Sequence, residues 1–295
     1  MSYKILKIPY GSNKPSIIDT IDTTLEINDI KYINDFGFIL VLSCHHCLGY
    51  IDTKGQVTIP WIGQLNECGN NNGLCAKLNY PASICYSNRN RSCHIVENGG
   101  TNIRYFYLKE KTITSEFGTS ITKKIEHFFI NVKDRSKLKT SCDIDSRGTI
   151  YWVVNGINRC FRYSSEDITF KSFVGNGHGG FSTSSDLNNC KLSSPESVAI
   201  NKNVYIADTG NNCIRKVSNG LVKNISVFAG QPCKNIIRPS KIIFSSDNLY
   251  FIDTKEDTKE IRCLFNNKLD SIYGSDKIVS ISCDNQRNVF VLEKS

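Results

Sequence analysis

The chain has 295 residues, 40% of them hydrophobic, with 36 basic against 28 acidic residues and a net charge of +8. That length suffices for one large core or one ring of repeated units; no run nears the roughly 20 apolar residues of a bilayer span, and the start, MSYKILKIPYGSNKPS, lacks a signal peptide's apolar core and cleavage site. A soluble, unexported protein in a reducing cytoplasm is expected, with 13 cysteines that are not a disulfide scaffold and a positive excess that reads as plain solubility or as a preference for anionic partners.

In chain order, YKILKI (3–8) and PSIIDTID (15–22) read as two strands, half of a larger unit. Residues 29–64, DIKYINDFGFILVLSCHHCLGYIDTKGQVTIPWIGQ, make a full unit of four short apolar runs. Residues 80–120 make a second, in which PASICYS precedes Glu97-Asn98-Gly99-Gly100 and Ile103-Arg104. A basic stretch, TKKIEHFFINVKDRSKLK, then interrupts the spacing before a third unit at 138–163. The clearest unit runs from Pro195 to Gln231, with SVAI, NVYIAD, CIRKV and VKNISVFAG separated by the turn formers N-K, T-G-N-N and S-N-G. A fifth begins at Pro239, and IVSISCDNQRNVFVLEKS closes the chain with another half unit.

Four strands with tight turns make an up-and-down sheet. Runs such as NVYIA and LYFI are too continuously apolar for a sheet with one wet face, so each sheet is expected to be covered on both sides. Stacking the sheets around an axis achieves this. The expected fold is an all-β, six-bladed β-propeller of four-stranded antiparallel blades, one domain over residues 1–295. Five blades are full units, and the sixth is a composite of strands from about 3–22 and about 278–293, with Tyr3–Ile8 beside Asn288–Leu292. Such a seam leaves no open sheet edge between the first and last blades.

The clearest unit resembles the NHL repeat. Pro195, Val198-Ala199, the run Val204 to Asp208, Thr209-Gly210-Asn211-Asn212 and Ile214-Arg215-Lys216 match its pattern, as does the Gly-rich upstream stretch VGNGHGGFSTSSDLNNCKLSSP. The resemblance implies an NHL-type propeller. It carries no catalytic residues across.

Several residue sets invite a chemical reading. Asp208 precedes Arg215 by seven residues, Glu97 precedes Arg104 by seven, and Asp253 precedes Arg262 by nine. Repetition in several blades marks these as architectural pairs, expected to join across blades. Cys85, Cys142 and Cys283 share one register, and Cys47, Cys160 and Cys213 another, as small reduced packing residues would. Cys44, Cys47, Cys68 and Cys75, with His45 or His46, fall in a turn and a connection that open on one propeller face. Their C-x2-C-x20-C-x6-C spacing would suit zinc, the one cofactor the sequence raises; the alternative is a polar turn beside unrelated cysteines. His178, among glycines, reads as a solvated loop residue. Lys123, Lys124, Lys133, Arg135, Lys137 and Lys139, interleaved with Phe128 and Phe129, would suit RNA; the alternative is an edge strand with its phenylalanines inward and its lysines wet.

A rigid ring of loops around a channel supports binding more readily than it dictates one chemistry. The leading expectation is a non-catalytic scaffold that binds another protein, as a subunit of a larger assembly or, given a composition rich in Asn, Ile and Lys, of a virion. The alternatives are an RNA-binding propeller and a metal-dependent hydrolase or lyase with its site at the channel. Membrane insertion is not expected.

Overall fold

The computed structural model describes residues 2–116, 119–184, 186–218, 221–225, 236–266 and 268–295. It is a six-bladed β-propeller: six four-stranded antiparallel sheets ring an axis. Blade 1 is β3 (Asp29–Ile33), β4 (Gly37–Leu42), β5 (Cys47–Asp52) and β6 (Val57–Gly63). Blade 2 is β7 (Pro81–Ser87), β8 (Ser92–Glu97), β9 (Asn102–Tyr107) and the short β10 (Thr114–Ser115). Blade 3 is β11 (Thr140–Ile144), β12 (Thr149–Val154), β13 (Arg159–Ser164) and β14 (Thr169–Val174). Blade 4 is β15 (Ser197–Asn201), β16 (Asn203–Asp208), β17 (Cys213–Ser218) and β18 (Leu221–Ile225). The last expected run of this unit continues to 230, and residues 226–231 lie outside the described ones. Blade 5 is β19 (Pro239–Ser245), β20 (Asn248–Lys255), β21 (Thr258–Phe265) and β22 (Lys268–Gly274).

Blade 6 is the composite. Its order is β2 (Ser16–Asp22), β1 (Ser2–Ile8), β24 (Val289–Lys294) and β23 (Ile278–Cys283). Tyr3 pairs with Lys294 and Ile8 with Val289, so the termini share one ladder. The innermost strands β3, β7, β11, β15, β19 and β23 touch one another in cyclic succession.

Each second strand is apolar on both faces because each face meets a neighbouring blade. All six residues of GFILVL in β4 are buried, as are five of the six of TIYWVV in β12. The buried apolar side chains fall into six clusters, one at each junction between blades. The inner edges are satisfied across blades. The Ser83, Ser197 and Ser282 hydroxyls accept from the backbone N–H of Cys142, Ile242 and Tyr32, and Asp143 accepts from that of Ile200. Inner-edge N–H groups that no fifth strand can reach are thereby paired.

The basic stretch is not an edge strand. It forms α1 (Thr119–Glu126), a 3-10 turn at His127–Phe129 and another at Arg135–Lys137. Ile121, Ile125 and Phe129 recur every fourth residue, and each is at most 4% exposed in the cluster between blades 2 and 3. A strand would place Lys123 and His127 on that same face, whereas a helix turns them away from it, and both are exposed. The expected inward phenylalanines hold: Phe129 is buried and Phe128 packs against the same cluster.

Candidate functional site

The three acid–arginine pairs form as ion pairs, but within one hairpin and not across blades. Arg215 Nη1 lies 3.4 Å from Asp208 Oδ2, Arg104 Nη1 3.7 Å from Glu97 Oε2, and Arg262 Nη1 2.9 Å from Asp253 Oδ2. Their other contacts explain the repetition. Asp208, Glu97 and Asp253 accept from the backbone N–H of Ser193, Asn79 and Ile237. In blade 3, which lacks the acid, Asn155 accepts from that of Lys139. Arg104 donates to the carbonyls of Lys77 and Asn71, and Arg215 to that of Ser182. Each set clamps the connection arriving from the preceding blade onto the 3-10 turn side of its own blade. Burial outweighs the pairing for the acids, pushing Glu97 up to about 7 and Asp208 up to about 6.

Cys44, Cys47, Cys68, Cys75 and the two histidines do not converge. No group of three His, Cys, Asp or Glu able to hold a metal ion occurs among the described residues. Cys44 and Cys75 are exposed free thiols, and the other four members are buried or bonded elsewhere. Cys47 opens β5, fully buried, with its thiol pushed up to about 11 by burial. His46 Nδ1 accepts from Tyr80 N, His45 Nε2 accepts from Glu26 N, and Cys68 Sγ donates to Asn79 Oδ1. The turn and the connection do share a face, as expected, but they meet through backbone bonds such as Asn66 N to His45 O. The twelve described cysteines are free thiols. Cys160 and Cys213 are fully buried like Cys47, in the third strands of their blades. His178 is exposed in its loop.

The channel is where charges from distant parts of the chain meet, and it has two unlike ends. At the end bearing the 3-10 turns, a cavity of about 510 Å³ is lined by the cations Lys137, Lys139, Arg238, Lys241 and Lys259 but only two carboxylates, Asp29 and Glu196. Lys139 pairs with Glu196 at 2.8 Å. Lys259 Nζ donates to the Ile278 carbonyl, and burial together with the Lys139 charge lowers its pKa. The Arg238 guanidinium makes no hydrogen bond or salt bridge among the described residues; only its backbone N–H donates, to Asn212 Oδ1.

Inside this mouth the channel is crossed by a polar plug. Lys241 Nζ lies 2.6 and 2.7 Å from the two oxygens of Asp29, which also accept from the hydroxyls of Ser280 and Ser83. Beyond the plug a wider cavity of about 940 Å³ opens to the opposite face. Lys31 stands at its base, near Asp143, Cys283, Cys85 and Cys142. Burial opposes the Lys31 charge, but Asp143 and the surrounding sulfurs outweigh it, and its pKa is raised. Burial raises that of Asp143 against the pull of Lys31 and of two backbone N–H groups.

Of the six basic residues expected to touch RNA, Lys137 and Lys139 line the basic mouth. Lys123 and Lys124 are exposed on α1 and Lys133 is exposed beyond it. Arg135 pairs with Glu126 at 2.5 Å and stacks on Phe129. The other lining cations, Arg238, Lys241 and Lys259, come from blade 5 and the approach to it, more than 90 residues away; no local charge run marks them.

No family model matches the sequence, and no curated protein does. Solved structures match over nearly the whole chain. A catalytically inactive virginiamycin B lyase from Staphylococcus aureus with quinupristin shares 13% identity at a TM-score of 0.58, over 99% of this chain and 88% of that chain. The nidogen/laminin complex shares 12% at 0.60, over 99% of both chains. A streptogramin B lyase shares 12% at 0.56, over 99% and 98%. At such identities the likeness shows the propeller fold alone.

Proposed function

We propose that the protein is a non-catalytic binding scaffold that engages an acidic segment of another protein at the basic channel mouth. The supporting observation is the imbalance there, five cations against two carboxylates on a rim fixed by the clamped connections. Such a concave field draws negative charge and raises association rates. The NHL-like pattern of blade 4 is in keeping with an interaction module, and the nidogen/laminin neighbour is a propeller within a protein complex. The lyase neighbours offer the competing reading, an enzyme, but at 12–13% identity they carry no reaction to this chain.

RNA is the weaker alternative. Stacking of bases needs free aromatic faces, and here Phe128 lies under Arg159 and against Phe161, while Phe129 is buried. Zinc enters no part of the proposal.

Fluorescence anisotropy with a labelled oligoglutamate and a labelled oligouridylate of equal length tests the reading. The peptide should bind, weaken at higher salt, and lose about tenfold or more in affinity on Lys139→Glu with Lys259→Glu. Peptide binding that the double variant leaves unchanged, or RNA binding tighter than peptide binding, would overturn it.

A further inference from the structure

We infer that the wide cavity on the face opposite the basic mouth is a site for a small organic carboxylate with an aromatic or apolar body, anchored by the Lys31 ammonium. This does not depend on the acidic-partner reading, since the Asp29–Lys241 plug stands between the two ends.

The cavity has the size and character of a ligand pocket. Its volume of about 940 Å³ falls within the usual range for small-molecule sites. All six blades line it, and Tyr32, Phe36, Tyr86, Tyr107 and Phe244 supply ring surface. Its formal charges cancel, with Lys31, Arg91, Lys109 and Lys241 against Asp35, Glu110, Asp143 and Asp284. Most of these are already committed or exposed. Lys241 is held by Asp29. Asp284 accepts from Gln286 N, Asn288 N and Asn288 Nδ2. Asp143 accepts from Ile200 N. Asp35, Arg91, Lys109 and Glu110 are exposed at the rim.

Lys31 is the exception. It sits deep on β3, beside the free cysteines Cys142 and Cys283, and reaches Asp143 only through space. Its ammonium makes no hydrogen bond or salt bridge with any described residue. An ammonium can donate three hydrogen bonds; Asp143 favours the Lys31 charge through space, yet no described residue accepts from it. A carboxylate entering the cavity would supply the missing acceptors while its apolar body covered the rings. Asp143 nearby disfavours a dianion, so a monoanionic carboxylate fits better than a phosphate ester.

Calorimetric titration with 2-naphthoate, 2-naphthamide and 2-naphthyl phosphate tests this in the intact protein. The expected result is saturable 1:1 binding of naphthoate, at least about tenfold tighter than the amide and tighter than the phosphate. Lys31→Met should lower naphthoate affinity by about tenfold or more and leave the amide unchanged, while Lys139→Glu with Lys259→Glu should leave naphthoate binding intact. The inference is overturned if naphthoate fails to bind, if naphthamide equals it, if the phosphate binds more tightly, or if a folded Lys31→Met protein binds naphthoate as the wild type does. Should Lys31→Met not fold, the wild-type ranking of the three probes decides.

Discussion

Replacing Arg104 by methionine should reveal how strongly the clamps hold the ring. The guanidinium and Glu97 are both fully buried. Arg104 donates to Lys77 O at 2.6 Å and to Asn71 O at 2.5 Å, which ties down the connection from blade 1. Removing one partner of a buried pair costs about 3–5 kcal/mol, which at about 2–4 °C per kcal/mol lowers the melting temperature by roughly 6–20 °C. The loss should also depend on pH. Glu97 titrates at about 7 in the folded protein, against 4.5 as its ordinary value. A raised carboxyl pKa gives stability that is complete below the ordinary value and is lost as pH rises through the folded value. Without Arg104 the folded value climbs further, so the variant keeps losing stability above pH 7 where the wild type has levelled off. The difference between the two proteins should widen there by up to about 1.4 kcal/mol per pH unit. Urea unfolding of both at several pH values measures this, with tryptic cleavage after Lys77 as a local readout. A loss below about 1 kcal/mol, or one independent of pH between 7 and 9, would refute the reasoning.

Two other substitutions probe separate parts of the frame. Gly100 has φ +97, and a Cβ there would lie 2.6 Å from Val154 Cγ2, whereas Gly148 has φ +90 and open space. Both alanine variants should lose about 1–2 kcal/mol to backbone strain, and Gly100→Ala about 1–3 kcal/mol more to crowding; equal losses in urea unfolding would show that no crowding exists. His94 is buried beside Glu116, with Nε2 bonded to Ser92, and burial lowers its pKa to about 4. A lowered imidazole pKa gives stability present above its ordinary 6.5 and lost as pH falls through about 4, so NMR should show the ring neutral at pH 5, and His94→Phe should lack that acid loss.

The architecture was legible because a propeller writes itself in the sequence once per blade. Turn formers at fixed offsets and doubly apolar second strands recur, and half units at the termini left only one way to complete the sixth blade. The clamp residues were visible for the same reason, although their partners were not: Lys77 O, Asn71 O and Ser182 O are backbone groups of irregular connections, which no side-chain pattern announces. The helix α1 was missed because its adjacent phenylalanines and flanking lysines resemble an edge strand. The available signal was that a strand would place Lys123 and His127 on the face of Ile121, Ile125 and Phe129, which a helix avoids. The Cys/His set failed for a physical reason, since Cys47 begins a strand with a neighbouring blade against each face, which buries its sulfur whichever way it points. Lys31 drew no attention because its surroundings, Cys85, Asp143 and Cys283, come from three other blades.

The plug gives the two ends of the channel different histories of charge. Asp29 takes Lys241 from across the ring and hydroxyls from the blades on either side, so one carboxylate ties together blades 1, 2, 5 and 6. Fields superpose through a neutral pair, so what the plug bars is passage: without it, an anion entering at either end would reach both sets of cations. With Lys241 held by Asp29, Lys31 is the deep cation of the inner chamber with no hydrogen-bonded partner among the described residues. Removing the plug by Asp29→Asn with Lys241→Met should therefore let a ligand pass between the two ends. Naphthoate affinity should then change when Lys139 and Lys259 are reversed to glutamate, which it should not do in the plugged protein, and the same null response in both backgrounds would show that the plug bars nothing.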